Sequence, residues 1–462
     1  MGNHKQDYRA ENENAIGEHA RKVKELFHSA LSEELWVCID ELNEELWQEN
    51  GRQRREQEGP YKVAKLSVLT RSMLEYDRSY FSESPHTNFE SYRPYFYNFI
   101  IYVDSSYDCA AYDRLREMGD KWFKASFSKS TSEEWHEYKG EIERSASPVT
   151  YQERKIYISD KSLAPAIVKE INETYSVIAS PTPDKDIEAQ LTSLLHDVKF
   201  KAARVYNVGN GNLINIIGSK SSHAFNLVFD VGYHSRSYPH EKRLPYGAAI
   251  RSFKRVVPDV VCLSHWDDDH IMGCAYGHSE LFDCPWIAPE IVKKNATSAK
   301  RLAAYLTTKH RLIVIKRERI ARRFARIITS NSTVSFFLGE NKRKQTITQE
   351  NCGGMVIEIV TQALLNGAVV ESLFCGDVPY EAIKTEIWNK RVDGYDNLLV
   401  PHHGSAMQCR SLKTKKSAMA VVCGSDNRPE DDHKTALEAS GMGYHVEVTA
   451  DAKIPPWIDL II

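Results

Sequence analysis

This sequence contains no CxxC pair, no apolar run long enough to span a membrane and no large net charge. A bilayer-spanning helix needs about 18 or more apolar residues, and the polar N-terminus lacks the apolar core of a signal peptide. The formal charge of −3 indicates no polyanionic partner by itself. The nine cysteines are odd in number and lie mostly within apolar stretches, so we expect buried free thiols in a reduced, cytoplasmic protein that makes no membrane contact.

The length and composition are those of a globular protein with two or three domains. Charged residues account for 27% and hydrophobic residues for 42% of the 462 positions, and a domain holds roughly 100–200 residues. Every motif with recognisable chemistry lies beyond residue 200. We therefore expect an accessory domain over residues 1–200 and a second domain over residues 201–462.

The first 200 residues show helical and strand patterns but no chemical motif, which predicts an α+β domain of unknown type. Residues 1–20 are polar and are expected to be disordered, and apolar residues at helical spacing predict a helix from Val23 to Leu46. The other predictions here are a linker, a strand and two helices, over residues 50–61, 95–104, 162–175 and 187–200. Such a domain could sense a signal or dock a protein partner.

Beyond residue 200, one apolar stretch after another ends in His, Asp or Gly. These stretches are predicted strands at 203–218 (two strands around a glycine-rich turn), 224–232, the segment leading into residue 265, 355–360, 371–377, 397–405 and 417–427. Polar residues that follow the carboxyl ends of several strands are typical of an active-site rim.

The densest of these polar clusters is residues 263–274, LSHWDDDHIMGC. Two histidines and three aspartates fall within the six positions 265–270, directly after an apolar strand. In an extended segment the side chains at i and i+2 share a face, so His265 and Asp267 could bind one cation. Asp269 and His270 could then face a second cation. Together with the later GD and HHGS motifs, this order of residues predicts a metal site.

On these motifs, residues 203–462 resemble a metallo-β-lactamase-fold hydrolase. The family signature HxHxDH appears here as H-W-D-D-D-H, with Asp267 in place of the second histidine. The strand-end aspartate that precedes the signature corresponds to Asp230, and the bridging aspartate corresponds to Asp377 in FCGDV. The histidine of the last motif lies in PHHGS, as His402 or His403.

Within that family, the sequence is most similar to the metallo-hydrolase domain of bacterial competence DNA-uptake channels. The shared motifs are HxDxDH, a DVGQG turn present here as NVGNG, an Asn-x-x-Ser segment present as NCGG, then GD, HHGS and a closing segment ending at His433. Asn207 stands where the subgroup has Asp, and Gly354 stands where it has Ser. The middle metal histidine of the family has no counterpart, which leaves Asn351 or water near the first metal.

The resemblance implies an αββα sandwich that holds one or two divalent ions, bridged by Asp377 and a hydroxide that attacks the substrate. The implied metal ligands are His265, Asp267, Asp269, His270, Asp377 and one or both of His402 and His403. The residues with an implied catalytic role are Asp269, His402, His403 and His433, and those that support the site are Asp230, Asn207 and Asn351. The carboxylate at Asp267 makes the site harder, which favours Mn or Mg over the Zn of an imidazole-rich site.

Residues 291–345 form a basic insert within the second domain. They contain fifteen Lys or Arg against two acids, a formal charge of +13. The stretch 316–326 places Ile320, Phe324 and Ile327 at helical spacing, which predicts a helix that exposes its arginines. A solvated helix face is one interpretation, and nucleic-acid backbone binding is the other. The candidate binding residues are Arg319, Arg322, Arg323 and Arg326.

These observations favour a metal-dependent phosphodiesterase, most readily a nuclease that cleaves DNA or RNA. Two alternatives stay open. One is a small-molecule hydrolase on the same fold, which would act on a phosphodiester, a cyclic nucleotide or a lactone. The other is a regulatory binding protein with a degenerate site, which the missing histidine and Asn207 would suit.

Overall fold

The chain is seen in a computed structural model, which describes residues 20–43, 61–81, 92, 94–104, 109–128, 135–145, 149–209, 211–233, 247–276, 279–292, 297–341, 349–362, 368–404, 415, 418–424, 444–449 and 456–462. Three subjects of the sequence predictions lie outside this range: residues 1–19, residues 50–60 and His433.

The described residues divide into two compact units. The first draws on residues within 1–178 and 297–310, and the second on residues within 179–233, 247–292 and 311–462. Residues 297–310 thus belong to the first unit, although the chain reaches them from strands of the second.

The first unit is a closed six-stranded barrel with helices. Neighbouring strands follow the order β1-β2-β3-β5-β6-β4, and β4 pairs with β1 to close the barrel. The strands are β1 (Leu35–Asn43), β2 (Tyr61–Thr70), β3 (Phe96–Asp104), β4 (Phe123–Ser126), β5 (Trp135–Ser145) and β6 (Val149–Ser162). The helices are α1 (20–29), α2 (Arg71–Phe81), α3 (Cys109–Met118), α4 (Pro165–Thr174) and, from further along the chain, α8 (Thr297–Thr308).

The predicted helix from Val23 to Leu46 is wrong over residues 30–43, because the helix ends at residue 29 and Leu35–Asn43 forms strand β1. Residues 35–38 are all almost fully buried, so both faces of this part of the strand are covered. A strand that is apolar on both faces has no clear alternation, and its apolar positions can match a helical period. The predicted strand at 95–104 and the helix at 162–175 are confirmed by β3 and α4.

Helix α8 is held in the first unit by a buried arginine. Arg301 is 1% exposed, and its Nε donates a hydrogen bond to Asp77 Oδ2 at 2.8 Å. Its guanidinium carbon lies 3.9 Å from the ring centroid of Tyr95, and Nη1 donates to the Tyr95 carbonyl at 2.9 Å. Asp77 also accepts the hydroxyls of Tyr92 at 3.0 Å and Tyr175 at 2.5 Å. A buried ion pair is tolerated when hydrogen bonds saturate it in this way.

The second unit consists of two seven-stranded mixed sheets. The first sheet has the order β12-β11-β10-β9-β8-β7-β20, and the second has the order β13-β14-β15-β16-β17-β18-β19. The first sheet contains β7 (Lys199–Tyr206), β8 (Leu213–Lys220), β9 (His223–Val231), β10 (Val260–Cys262), β11 (Trp286–Pro289), β12 (Leu312–Ile315) and β20 (Trp457–Ile461). The second contains β13 (Arg322–Ile328), β14 (Ser332–Leu338), β15 (Met355–Gln362), β16 (Val369–Phe374), β17 (Asn397–Leu399), β18 (Ala418–Val422) and β19 (Tyr444–Val448).

The two sheets pack face to face around one apolar core. Side chains of β7 to β11 and of β13 to β18 belong to a single buried cluster, in which the rings of Phe229 and Phe374 lie 6.5 Å apart. A second cluster, which includes Trp388, covers the outer face of the second sheet. The helices of this unit are α5 (Asp184–Leu195), α6 (Gly247–Phe253), α7 (Asp268–Ile271) and α9 (Gln349–Cys352). The predicted layering of two packed mixed sheets is therefore confirmed.

The predicted helix over residues 316–326 is wrong, because its second half is the edge strand β13. Phe324 and Ile327 are buried as expected, but Ile320 is 69% exposed. Helix α5 flanks this edge, where Glu188 accepts the backbone N–H of Arg326 at 3.1 Å. Phe324 and Ile327, three residues apart, fit the buried side of a strand with a register shift as well as a helix, and β13 has that shift between Arg323 and Ala325.

Two expectations about the whole chain can be compared with the described residues. The cysteines whose side chains are described are buried thiols outside any disulfide, at positions 38, 262, 274, 284, 352, 375 and 423, so the prediction of buried thiols is confirmed for them. Within the described ranges, none of the helices combines the length and the apolar character that crossing a bilayer requires.

Candidate metal centre

Polar residues at the carboxyl ends of four strands of the second unit meet at one edge of the two-sheet core. Asp230 is the penultimate residue of β9, and His265 follows β10. Asp377 follows β16, and His402 and His403 follow β17. Met355 at the start of β15 donates its backbone N–H to the carbonyl of Ser264 at 2.8 Å, which ties the two sheets together at this edge.

One group of four side chains is close enough to share a cation. The group comprises Asp269, His270, Asp377 and His403, whose candidate ligand atoms all lie within 4.8 Å of one another. His270 Nε2 lies 3.1 Å from Asp377 Oδ1, and His403 Nε2 lies 3.0 Å from Asp269 Oδ2. Asp269 is carried by the short helix α7, which begins directly after Asp267.

A second group faces the other oxygen of Asp377. His265 Nε2 lies 3.7 Å from Asp377 Oδ2 and 3.4 Å from Asp267 Oδ2. His402 Nε2 lies 3.8 Å from the same Asp377 Oδ2. Asp377 therefore stands between the two groups, with Oδ1 towards His270 and His403 and Oδ2 towards His265 and His402. Such a carboxylate can bridge two cations.

Asp230, which is itself hydrogen-bonded to Ser264, orients His270 through the Nδ1 side of its imidazole ring. Asp230 Oδ2 accepts the N–H of His270 Nδ1 at 2.8 Å and the hydroxyl of Ser264 at 2.8 Å, and Oδ1 accepts the backbone N–H of Ser264 at 2.6 Å. The proton on Nδ1 leaves the Nε2 lone pair of His270 directed at Asp377. His403 is oriented in the same way, because its Nδ1 donates to the carbonyl of Cys423 at 2.8 Å. Carboxylate and carbonyl partners of this kind fix the tautomer of metal-binding histidines.

The histidine nitrogens that face this centre fit a metal ion. His265 Nε2 and His270 Nε2 are buried and have no hydrogen-bond partner among the described residues. Both side chains are fully buried, and an unsatisfied buried nitrogen costs about 1–3 kcal/mol. A divalent cation in each of the two groups would satisfy these nitrogens, and imidazole with carboxylate suits Zn and Mn.

The charges in this centre favour a cation. Burial raises the pKa of Asp269, but His270 and the hydrogen bond from His403 outweigh burial and bring the pKa to about 2. For Asp377 burial acts in the same direction, and the neighbouring histidines nevertheless hold its pKa well below the ordinary value. Burial lowers the pKa of His270, whereas the surrounding carboxylates, Asp377 foremost, raise it well above the usual value. A divalent cation would compete with the proton that the carboxylates favour on the imidazole of His270.

The backbone around the site is strained or closely packed. Asp230, His402 and His403 have φ values of 58°, 50° and 53°, a conformation that costs non-glycine residues free energy. Such strain often marks functional positions. At Gly232, a Cβ atom would lie 2.0 Å from the carbonyl oxygen of Asp269, so only glycine lets this segment approach the helix that carries Asp269.

The supporting residues fall in different places. Asn351 Nδ2 lies 3.4 Å from Asp377 Oδ2, on the side of His265. The side-chain oxygen of Asn207 is buried without a hydrogen-bond partner among the described residues, and its backbone N–H donates to Pro456 at 2.9 Å. Sequence reasoning missed Ser264 and also Asn212, whose Nδ2 lies 3.5 Å from Asp377 Oδ1. The position of Ser264 beside His265 at a strand end was the available signal.

The four candidate nucleic-acid-binding arginines do not form one surface of a helix. Arg319, Arg323 and Arg326 are exposed. Arg322 is half-buried and pairs with Asp184 of α5, while its Nη2 donates to the carbonyl of Lys316 at 3.1 Å. Arg322 therefore stabilises the fold locally, and the other three are accessible to a ligand.

No protein-family model and no curated protein matches the sequence. Solved structures that are similar include CmlA, a diiron β-hydroxylase from Streptomyces venezuelae, with 10% identity over 65% of this chain and a TM-score of 0.32. A diphosphatase of the PhnP family is 11% identical over 56% of this chain and 97% of its own, with a TM-score of 0.30. MEM-A1, a subclass B3 metallo-β-lactamase from a soil metagenome library, is 13% identical over 46% of this chain and 80% of its own, with a TM-score of 0.23.

The chain spans 58% of the length of the CmlA structure that it matches. TM-scores this low identify neither the family nor the activity of the chain. The function is therefore argued from the side chains at the candidate metal centre.

Proposed function

We propose that the second unit is a metal-dependent hydrolase of the metallo-β-lactamase type, that it cleaves phosphodiesters, and that its substrate is a nucleic acid. The observation that carries the proposal is the position of Asp377. Its two carboxylate oxygens face two different groups of histidines and aspartates, an arrangement suited to bridging two cations. Two-cation centres are common among enzymes that hydrolyse phosphate esters.

At such a centre, different residues of the chain would bind each of the two ions. Asp269, His270, His403 and Asp377 would hold one ion, and His265, Asp267, His402 and Asp377 would hold the other. When bound, these ions would supply a nucleophilic water at neutral pH and neutralise charge on the phosphoryl group. Asp230 keeps the Nδ1 proton on His270, and Asn351 donates towards Asp377 Oδ2, on the side of His265 and His402. His433 stays a candidate for contact with a phosphoryl oxygen or the leaving group.

The choice of a nucleic acid rests on the basic residues of the insert. Arg319, Arg323 and Arg326 are exposed in the same unit as the metal centre. Contacts between Lys or Arg and backbone phosphates supply affinity without reading bases. A small phosphodiester is the second candidate, and the pairing of Arg322 with Asp184 favours it, because one of the four arginines is thereby withdrawn from the surface.

The test begins with metal analysis of the purified protein and digestion of single- and double-stranded DNA and RNA in the presence of Mn. Asp377→Asn keeps the size of the side chain but leaves one oxygen where two are needed. We expect this variant to lose at least one bound ion and nearly all hydrolysis. Asp393→Asn, at an exposed position of the same unit, is the matched control and should behave as wild type.

Two results would contradict the proposal. If Asp377→Asn kept the wild-type metal content and turnover, Asp377 would not be the bridge. If the wild-type protein bound no divalent metal and cleaved neither nucleic acids nor a small diester such as bis-p-nitrophenyl phosphate, the regulatory binding protein would be the better description.

A further inference from the structure

The β12–β13 loop, residues 316–321, emerges from the same sheet edge as the metal centre. Strands β9, β10, β11 and β12 are neighbours and all parallel, so their carboxyl ends lie along one edge. In the pairing, Cys262 is level with Ile287, and Ile287 is level with Ile313. Extending this register by three residues places His265, Glu290 and Lys316 at the same level. Two strand spacings of about 4.8 Å then separate Lys316 from His265, roughly 10 Å in all.

Hydrogen bonds hold this loop in one conformation. Arg317 is 5% exposed, its backbone N–H donates to Glu290 Oε2 at 2.9 Å, and its Nε donates to the Glu290 carbonyl at 2.7 Å. At the other end of the loop, Arg322 donates to the Lys316 carbonyl at 3.1 Å. The backbone N–H of Asn341 donates to the Glu318 carbonyl at 3.0 Å. A loop fixed in this way loses little conformational entropy when it binds a ligand.

The loop also reaches the segment that carries Asn351. A Cβ atom at Gly353 would lie 2.8 Å from Arg317 Nη1, so the anchored arginine contacts the turn that follows Asn351. Asn351 in turn lies 3.4 Å from Asp377. The position of the loop is thus fixed from the side of the metal centre as well as from strand β11.

The anchored loop presents two cations to solvent. Lys316 and Arg319 are exposed, whereas Arg317 and Arg322 serve as anchors. The exposed carboxylate of Glu318 lies 3.6 Å from Arg322 Nε, so its charge is partly balanced within the loop. Two exposed cations on a rigid loop suit a phosphate, because they add favourable charge without a folding cost.

The geometry points to Lys316 and Arg319 as the site that binds a backbone phosphate of the substrate beyond the scissile one. The inference rests on the proposed function and narrows its substrate class to a chain of several phosphodiesters. Neighbouring phosphates of one strand are about 3.4 Å apart along the helix axis and further apart through space, so a contact roughly 10 Å from the centre is made by a phosphate other than the scissile one. A dinucleotide has a single phosphodiester and cannot occupy both places, whereas a longer strand can.

The test compares a dinucleotide with a single-stranded oligonucleotide of about ten nucleotides. We expect wild-type protein to cleave the longer substrate with the higher kcat/KM. The variant Lys316→Ala/Arg319→Ala should lose most of this preference for the longer substrate, because its KM for that substrate rises. Each lost contact should also flatten the plot of log affinity against log salt by about 0.7, or about 1.4 for the pair. Lys199→Ala/Lys201→Ala is the matched control, since it removes two exposed lysines at the start of β7, on the opposite edge of the sheet.

Each outcome is decisive. If the control variant loses as much as the loop variant, overall charge and not this loop attracts the substrate. If the wild-type protein shows no preference for length, or the loop variant keeps the whole preference and salt slope, the inference is overturned while the metal centre stands. If wild-type protein cleaves neither substrate, the proposed function itself fails.

Discussion

Asp230 shows how a buried residue that need not touch a metal can control the centre. It accepts three hydrogen bonds, from the backbone and hydroxyl of Ser264 and from His270 Nδ1, at a position with φ of 58°. Its carboxylate thereby fixes both the tautomer and the direction of His270. A neutral side chain of the same shape could not accept all three bonds.

We therefore expect Asp230→Asn to lower metal affinity by about 10–100-fold, the usual cost of losing a partner behind a metal-binding histidine. The amide group would direct a donor at another donor, at Ser264 or at His270. Titration of the metal-free variant with Mn or Zn, followed by calorimetry, measures the effect. Asp459→Asn, an exposed aspartate on β20, is the control. Wild-type affinity in Asp230→Asn would show that His270 is held by other contacts.

The sequence predicted several residues of the centre because chemistry at strand ends leaves a readable pattern. Histidines and aspartates that follow apolar strands, such as His265 and Asp377, are typical of an active-site rim. Ser264 could not be predicted in this way, since serine is frequent at strand ends for many reasons. The choice between His402 and His403 also needed geometry, because both follow β17, and only His403 joins the group around Asp269.

At the scale of elements, the position of helix α7, which carries Asp269, depends on a neighbouring glycine. The carbonyl of Asp269 lies where a Cβ atom of Gly232 would be, and Gly232 also donates its N–H to the Asn212 carbonyl at 2.6 Å. The first sheet and helix α7 can approach each other only because this side chain is absent. The position of Asp269 is therefore set by packing as well as by charge.

Gly232→Ala should displace α7 and weaken metal binding, with a loss of stability of about 1–3 kcal/mol from overpacking. Metal titration and thermal unfolding would report the two effects. The control is Gly119→Ala, at a glycine with nothing within 4 Å of its Cβ position and with φ of 54°. That variant should cost about 1–2 kcal/mol through backbone strain and keep the metal affinity. If Gly232→Ala bound metal with wild-type affinity, the added Cβ atom would not displace α7, and the close packing at Gly232 would not control metal binding.

The strands of the second unit were easier to predict than the elements around the basic residues. Buried strands such as β9 and β15 are short apolar runs that end in polar residues, which sequence patterns identify well. The helix predicted over residues 316–326 is wrong because a register shift in β13 gives the buried residues Phe324 and Ile327 a spacing that is also typical of a helix. The same segment contains the anchored loop, and the phosphate-binding role that we propose for it depends on which of its basic side chains are buried. Burial is decided by tertiary contacts such as that of Arg322 with Asp184.

At the scale of the whole molecule, the chain leaves the second unit after β11 and returns at β12, and α8 lies between them in the first unit. Arg301, Leu302, Ala303, Tyr305 and Leu306 of this helix are almost fully buried. Arg301 depends on Asp77 and the tyrosines of the first unit for its hydrogen bonds. The second unit therefore cannot be separated from the first by cutting the chain once.

A fragment that begins at residue 179 should accordingly aggregate, because it exposes the apolar side chains of α8 and an arginine without its carboxylate. The same fragment with residues 293–310 replaced by a short Gly-Ser linker should stay monomeric and bind the same metal ions, since every candidate ligand lies in the second unit. Size-exclusion chromatography and metal analysis of the two fragments compare these expectations. Equal solubility of both would mean that α8 contributes little to holding the units intact. Aggregation of both, with full-length Asp77→Asn as stable as wild type, would mean that the Arg301–Asp77 pair is dispensable and that the second unit needs the first for another reason.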